Sequence, residues 1–131
     1  MALTSVESPY SVSATVGRLT AAIMRRRITI FARIDHAANA RAAGLEMPDE
    51  QLLIFGDPRA GTPLMTSDPR VGVDLPLRLV VWNQDGVTRV GYEPPETLAD
   101  RYDLSARDDV LRGMSDLLAS LVADATLRSA A

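Results

Sequence analysis

The period of the hydrophobic positions changes several times along the chain, and each change marks a predicted element. Val12, Val16, Leu19 and Ile23 recur at intervals of four, three and four, which puts them on one face of a helix. Ser11 or Ser13 supplies its N-cap. The helix runs to about Arg26, with Arg25, Arg26 and Arg27 at the end where cations suit the helix dipole. From Ile28 the period drops to two. Ile28, Ile30, Ala32 and Ile34 alternate with Thr29, Phe31, Arg33 and Asp35, as in a strand with two unlike faces. An Ala-rich stretch, His36 to Ala43, predicts a short helix stopped by Gly44. A weaker signal, Leu3 to Val6, predicts a first strand broken at Ser8 and Pro9.

The stretch around which the rest is organised is LLIFGDPRAGTPLM, Leu52 to Met65. Glu50 to Phe55 reads as a strand buried on both faces, ending at Gly56. Two helix starts then overlap, Asp57 with Pro58 and Thr62 with Pro63. One long helix would carry Pro63 in its interior, where it removes a hydrogen bond, so a turn and a short helix ending near Ser67 are expected. Leu75 to Asn83 alternates again, with Leu75, Leu77, Leu79 and Val81 on one face and Arg78, Val80 and Trp82 on the other. Asp85-Gly86 is a hairpin turn signal, and Val87 to Glu93 returns with Val90 and Tyr92 on one face. Pro95 opens a short helix. Ser105 is the expected cap of a last helix whose stripe runs from Val110 through Leu118 to Ala125.

This order, β-α-β-α-β-(α)-β-β-α-α, predicts an α+β two-layer sandwich: a mixed or antiparallel sheet with helices packed on one face. The second face would carry Phe31, Val80, Trp82, Val90 or Tyr92 in some combination. It is either an interface, which makes the chain a homodimer, or a face covered by loops and short helices.

The 131 residues suffice for one domain, over 1–131, with its own core. The net charge is -3, and all 14 basic residues are arginine. An acidic chain without a basic stripe argues against nucleic acid as a partner. The absence of cysteine excludes thiol catalysis and cysteine-ligated zinc. No leader pattern and no membrane-length apolar run is present. A cytoplasmic protein that does not engage a membrane is the expectation.

Candidate chemistry is sparse. His36 is the only histidine and follows Asp35 at a strand-to-helix junction. The pair reads either as an acid, base or ligand at a pocket mouth or as a helix cap with a histidine in the first turn. One histidine with only carboxylates beside it makes a poor metal site, so no metal is expected. Gly56 to Thr62 lacks the Gly-Lys-Ser/Thr ending of a phosphate-binding P-loop, no nucleophile elbow is present, and no cofactor is expected. If the strands ending at Asp35 and Gly56 are parallel neighbours, then Asp35, His36, Gly56, Asp57, Gly61 and Thr62 converge at one sheet edge as a ligand-binding site.

The segments ARIDHAANARAAG, LLIFGDPRAGTPLM and VDLPLRLVVW, with Tyr92-Glu93-Pro94, resemble in order and spacing the bacterial and archaeal family called domain of unknown function 302. The resemblance spans about Tyr10 to Tyr102. It implies a two-layer sheet-and-helix fold like that of the TATA-binding protein, without its DNA binding, and a dimer. It implies no biochemical activity, because that family has none settled. The family typically reads Gly-Asn-Pro where this chain has Gly56-Asp57-Pro58. Two functional readings follow. One is a dimeric small-molecule binding or sensing module with a polar pocket near Asp35, His36 and the Gly56–Thr62 loop. The alternative is an enzyme using His36 as general acid or base on a small polar substrate.

Overall fold

A computed structural model describes residues 3–128. Strand β1 (Thr4–Ser8) leads into helix α1 (Val12–Arg25), then β2 (Thr29–Asp35), α2 (His36–Ala42) and β3 (Glu50–Gly56). Helix α3 (Pro58–Ser67) and a 3-10 turn (Pro69–Asp74) separate β3 from β4 (Leu77–Gln84). β4 and β5 (Val87–Tyr92) form a hairpin, and a second 3-10 turn (Pro95–Asp100) precedes the last helix, α4 (Asp108–Thr126).

The five strands lie in the order β1-β5-β4-β3-β2, and every neighbouring pair is antiparallel. β1 and β2 therefore run the same way at opposite edges, and α1 crosses the whole sheet to join them. The turn between β4 and β5 holds Asp85 at φ 54 and Gly86 at φ 85, the two positive angles of a tight hairpin.

The core forms where α1 and α4 lie on one face of the sheet. Val12, Val16, Leu19 and Ile23 of α1 meet Leu53, Phe55, Leu79, Val81, Val90 and Tyr92 of the strands and Leu118, Leu121, Val122 and Ala125 of α4. The stripe of α1 is thus buried as its spacing predicts, and Ser11 caps that helix by accepting the Ala14 N–H. A smaller core joins Leu64, Val71, Leu98, Leu104, Leu111 and Met114, packing the segment between β3 and β4 against the first half of α4.

Four expectations are corrected. β2 and β3 are antiparallel, not parallel. α3 is one continuous helix with Pro63 inside it, because the Asp57 cap starts it and burial of Leu64, 0% exposed, offsets the single backbone donor that proline removes. Ser105 does not cap α4, which starts after Arg107 without a side-chain cap. The Ser105 hydroxyl donates instead to Asp103, and Asp108 and Asp109 complement the helix dipole from the first turn. The even alternation of β2 also fails. A bulge at Phe31 shifts the register between Ile30 and Ala32, so Ile30 faces the core opposite Phe55 while Ala32 and Ile34 face outward opposite Ile54 and Leu52. Val90 and Tyr92 belong to the helix-covered core. The outer face carries Ala32, Ile34, Leu52, Ile54, Val80 and Trp82, all half-buried.

Candidate functional site

The site begins where β3 ends. Gly56 closes β3 against Pro76 at the entry to β4, where a Cβ would come within 3.2 Å of the proline ring. Asp57 then caps α3, its carboxylate accepting the Arg59 N–H at 2.9 Å. Asparagine caps about as well as aspartate, so Gly56-Asp57-Pro58 keeps the capping role that Gly-Asn-Pro would fill.

Helix α3, the 3-10 turn after it, the start of β2 and the first half of α4 line an open cavity of about 540 Å³. Its walls are mainly apolar: Ile28, Phe31, Met65, Leu75, Met114 and Leu117. The polar side chains reaching it are those of Asp57, Arg59, Thr62 and Asp109. Gly61, Gly72 and Gly113 also line it. At Gly113, in α4, a Cβ would meet nothing within 4 Å, so open space lies beside this glycine.

Four of the six expected residues, Gly56, Asp57, Gly61 and Thr62, line the cavity. Asp35 and His36 do not. In the β2–β3 ladder Gly56 stands opposite Thr29, whereas Asp35 stands opposite Gln51. Five residues of strand separate the two ends, about 17 Å at 3.4 Å per residue. Asp35 there caps α2, accepting the Ala38 N–H at 2.9 Å, and His36 occupies the first turn of that helix. The expected polar pocket at one sheet edge is thus two places, and the cavity is apolar.

Sequence reading missed Phe31, Met65, Leu75, Val110, Gly113, Met114 and Leu117 as lining residues. Their apolar character matched core or loop equally well. Phe31 carried one local signal, a large residue on the polar face of β2; it is 55% exposed because the bulge turns it out of the ladder.

Beside the cavity lies a charged network. The Asp68 side chain, 6% exposed, pairs with Arg70 at 2.8 Å and accepts the Asp103 N–H at 2.9 Å. The Arg70 hydrogen bond, followed by that N–H, holds its carboxyl far below the usual carboxylate range. Asp74 accepts the Tyr102 hydroxyl at 2.5 Å and pairs with Arg78 and Arg101. The Tyr102 hydrogen bond lowers the Asp74 pKa and raises that of Tyr102. These contacts tie the 3-10 turn and the approach to α4 together, and so brace one wall of the cavity.

The architecture defines a class: an α+β sandwich with an open antiparallel sheet, two long helices on one face and an apolar cavity at one end. Residues 4–121 match the family model described as domain of unknown function DUF302, and the chain belongs to that family. The crystal structure of an uncharacterized conserved DUF302 protein from Bacillus stearothermophilus has the same fold, with a TM-score of 0.85 at 20% identity, covering 97% of this chain and 99% of that one. Two curated relatives are each 40% identical over 110 residues, 82% of this chain: Fluoride-specific ion channel FluC 1 of Brucella suis and Fluoride-specific ion channel FluC 1 of Brucella abortus. The match spans 43% and 40% of their lengths, so more than half of each relative lies outside it. Among the described residues, no helix is long and apolar enough to cross a membrane.

Proposed function

We propose that this domain is a binding or sensing module for a small molecule, acting as a homodimer. The observation that carries the reading is the cavity of about 540 Å³ with mainly apolar walls and few polar groups. Ligand sites have this size and character, with a small number of polar groups that orient the bound molecule. A bound molecule would touch Val110, Met114 and Leu117 of α4, which supports a sensing role for that helix. The relatives named as channels support a module that works beside other chain, since more than half of each lies outside the match. The outer sheet face, where Leu52, Ile54, Val80 and Trp82 are half-buried, supports the dimer, since apolar patches of this kind mark interfaces.

Titration with the neutral apolar fluorophore N-phenyl-1-naphthylamine tests the cavity. Saturable binding at one probe per chain is expected, and Gly113→Leu should abolish it by filling open space. The leucine also replaces a helical glycine, so stability should not fall. Equal binding by wild type and Gly113→Leu would refute the reading. Native mass spectrometry of the protein from its own host then identifies any retained molecule.

A further inference from the structure

We infer that the cavity takes an amphipathic anion, a single apolar chain ending in a carboxylate or phosphate, with its head held by Arg27 and Arg59. The inference rests on the cavity reading above and adds the chemistry of the ligand. A second depression, of about 270 Å³, adjoins the cavity and shares Ile28, Gly56, Asp57, Pro58 and Arg59 with it; Arg27 and Thr29 complete its lining. The apolar space thus adjoins a vestibule whose lining includes two arginines, one just after the C-cap of α1 and one from the start of α3.

The mouth carries two guanidinium groups and two carboxylates, Asp57 and Asp109, and among the described residues they form no ion pair with each other. The Asp57 carboxylate is occupied in capping α3, and Asp109 sits in the first turn of α4, where the helix dipole favours it. Among the described residues, neither Arg27 nor Arg59 has a carboxylate partner within ion-pair distance. Guanidinium groups left unpaired beside an apolar cavity suit bidentate recognition of a carboxylate or phosphate.

Each arginine also stands against one local preference: Arg59 against the helix dipole, and Arg27, whose charge suits its helix end, against its backbone angle. Arg59 is in the first turn of α3, the positive end of the helix dipole. Arg27 holds φ 56, directly after the C-cap of α1. Its N–H reaches the Met24 carbonyl and the Ile28 N–H reaches that of Ile23, the hydrogen-bond pattern of a Schellman motif, whose left-handed residue is usually glycine. A side chain kept at a glycine position, facing a ligand-sized space, fits a functional role better than a stabilising one.

Displacement of N-phenyl-1-naphthylamine by decanoate and by decanol, at pH 7 and low salt, tests the assignment. Decanoate is expected to displace the probe at least tenfold better than decanol. That preference should shrink in added salt, since exposed ion pairs are screened. Arg27→Gly and Arg59→Gln should each reduce it, and Arg27→Gly should at the same time raise the urea midpoint, a result that a purely structural arginine would not give. Equal displacement by decanoate and decanol, with Gly113→Leu still blocking the probe, would overturn the anionic head and leave the cavity reading standing. No displacement by either would overturn both. Sedimentation with phosphatidylglycerol vesicles should leave the protein in solution; co-sedimentation would mean that the arginines read a lipid surface and would overturn the free-ligand assignment.

Discussion

The carboxylate of Asp68 accepts the backbone N–H of Asp103 at 2.9 Å, joining two loops 35 residues apart in the chain. The same carboxylate holds Arg70, so its negative charge is used twice. Its folded pKa lies well below the unfolded value, chiefly through the Arg70 hydrogen bond. A depressed carboxylate contributes stability that is fully present above the unfolded value, about 3.9, and is lost as pH falls from there through the folded pKa. Asp74, lowered by Tyr102 and Arg101, acts in the same direction. Urea midpoints should therefore hold steady from pH 7 to 5 and fall below about pH 4. Asp68→Asn should lower the midpoint at pH 7 and flatten the acid limb. An unchanged acid limb in that variant would remove Asp68 from the account.

Leu118 is 1% exposed within the core that α4 shares with α1 and the sheet. Leu118→Ala should cost about 2–5 kcal/mol, the range for a leucine truncated in a close-packed core. Urea unfolding with an unchanged m-value would register it as loss of stability. A loss under about 1 kcal/mol would mean that the site collapses around the smaller side chain.

At Asp57 the cap, not the charge, is the structural requirement. Asp57→Asn should change stability by less than about 0.5 kcal/mol, whereas Asp57→Ala should cost about 0.5–2 kcal/mol by freeing the Arg59 N–H. Thermal unfolding of the two variants side by side checks this. Equal losses would show that the carboxylate has a role beyond capping.

On the outer face, Gly91 lies under the indole of Trp82. A Cβ there would stand 2.9 and 3.1 Å from two ring carbons. Gly91→Ala should push the ring aside and stretch its 3.1 Å bond to Gln84, at a cost of about 1–3 kcal/mol. Trp82 is the only tryptophan, so its fluorescence reads the displacement directly. An emission maximum identical to wild type would mean that the backbone moves instead.

The proposed dimer makes one plain demand. Sedimentation at micromolar concentration should show a species of twice 14.2 kDa. Leu52→Glu on the outer face should return it to the mass of one chain while leaving the core intact. A wild-type protein that sediments only as a single chain ends the proposal.

Much of the architecture is written locally. The stripe of α1, the Ser11 cap, the stop of α2 before Gly44, the Asp85-Gly86 hairpin and the buried face of β4 all follow from side-chain period and from residues that tolerate positive φ. These depend on neighbours within a few positions, which a sequence displays. Pairing direction does not. The segment 36–49 between β2 and β3 is long enough for a crossover to a parallel strand as well as for a helical detour that returns to the same end. Only the packed sheet shows that it returns, and that choice separates Asp35 and His36 from Gly56. The bulge at Phe31 is equally silent, because one extra residue in a strand alters no local preference yet reverses every face beyond it. The cavity was half legible for the same reason. Gly56, Asp57, Gly61 and Thr62 stand in one turn-rich segment and announce themselves, whereas Phe31, Met65, Val110 and Leu117 reach the cavity from three separate elements, β2, α3 and α4. Their meeting is a property of how β-strand ends, α3 and α4 pack, and no spacing along the chain encodes it.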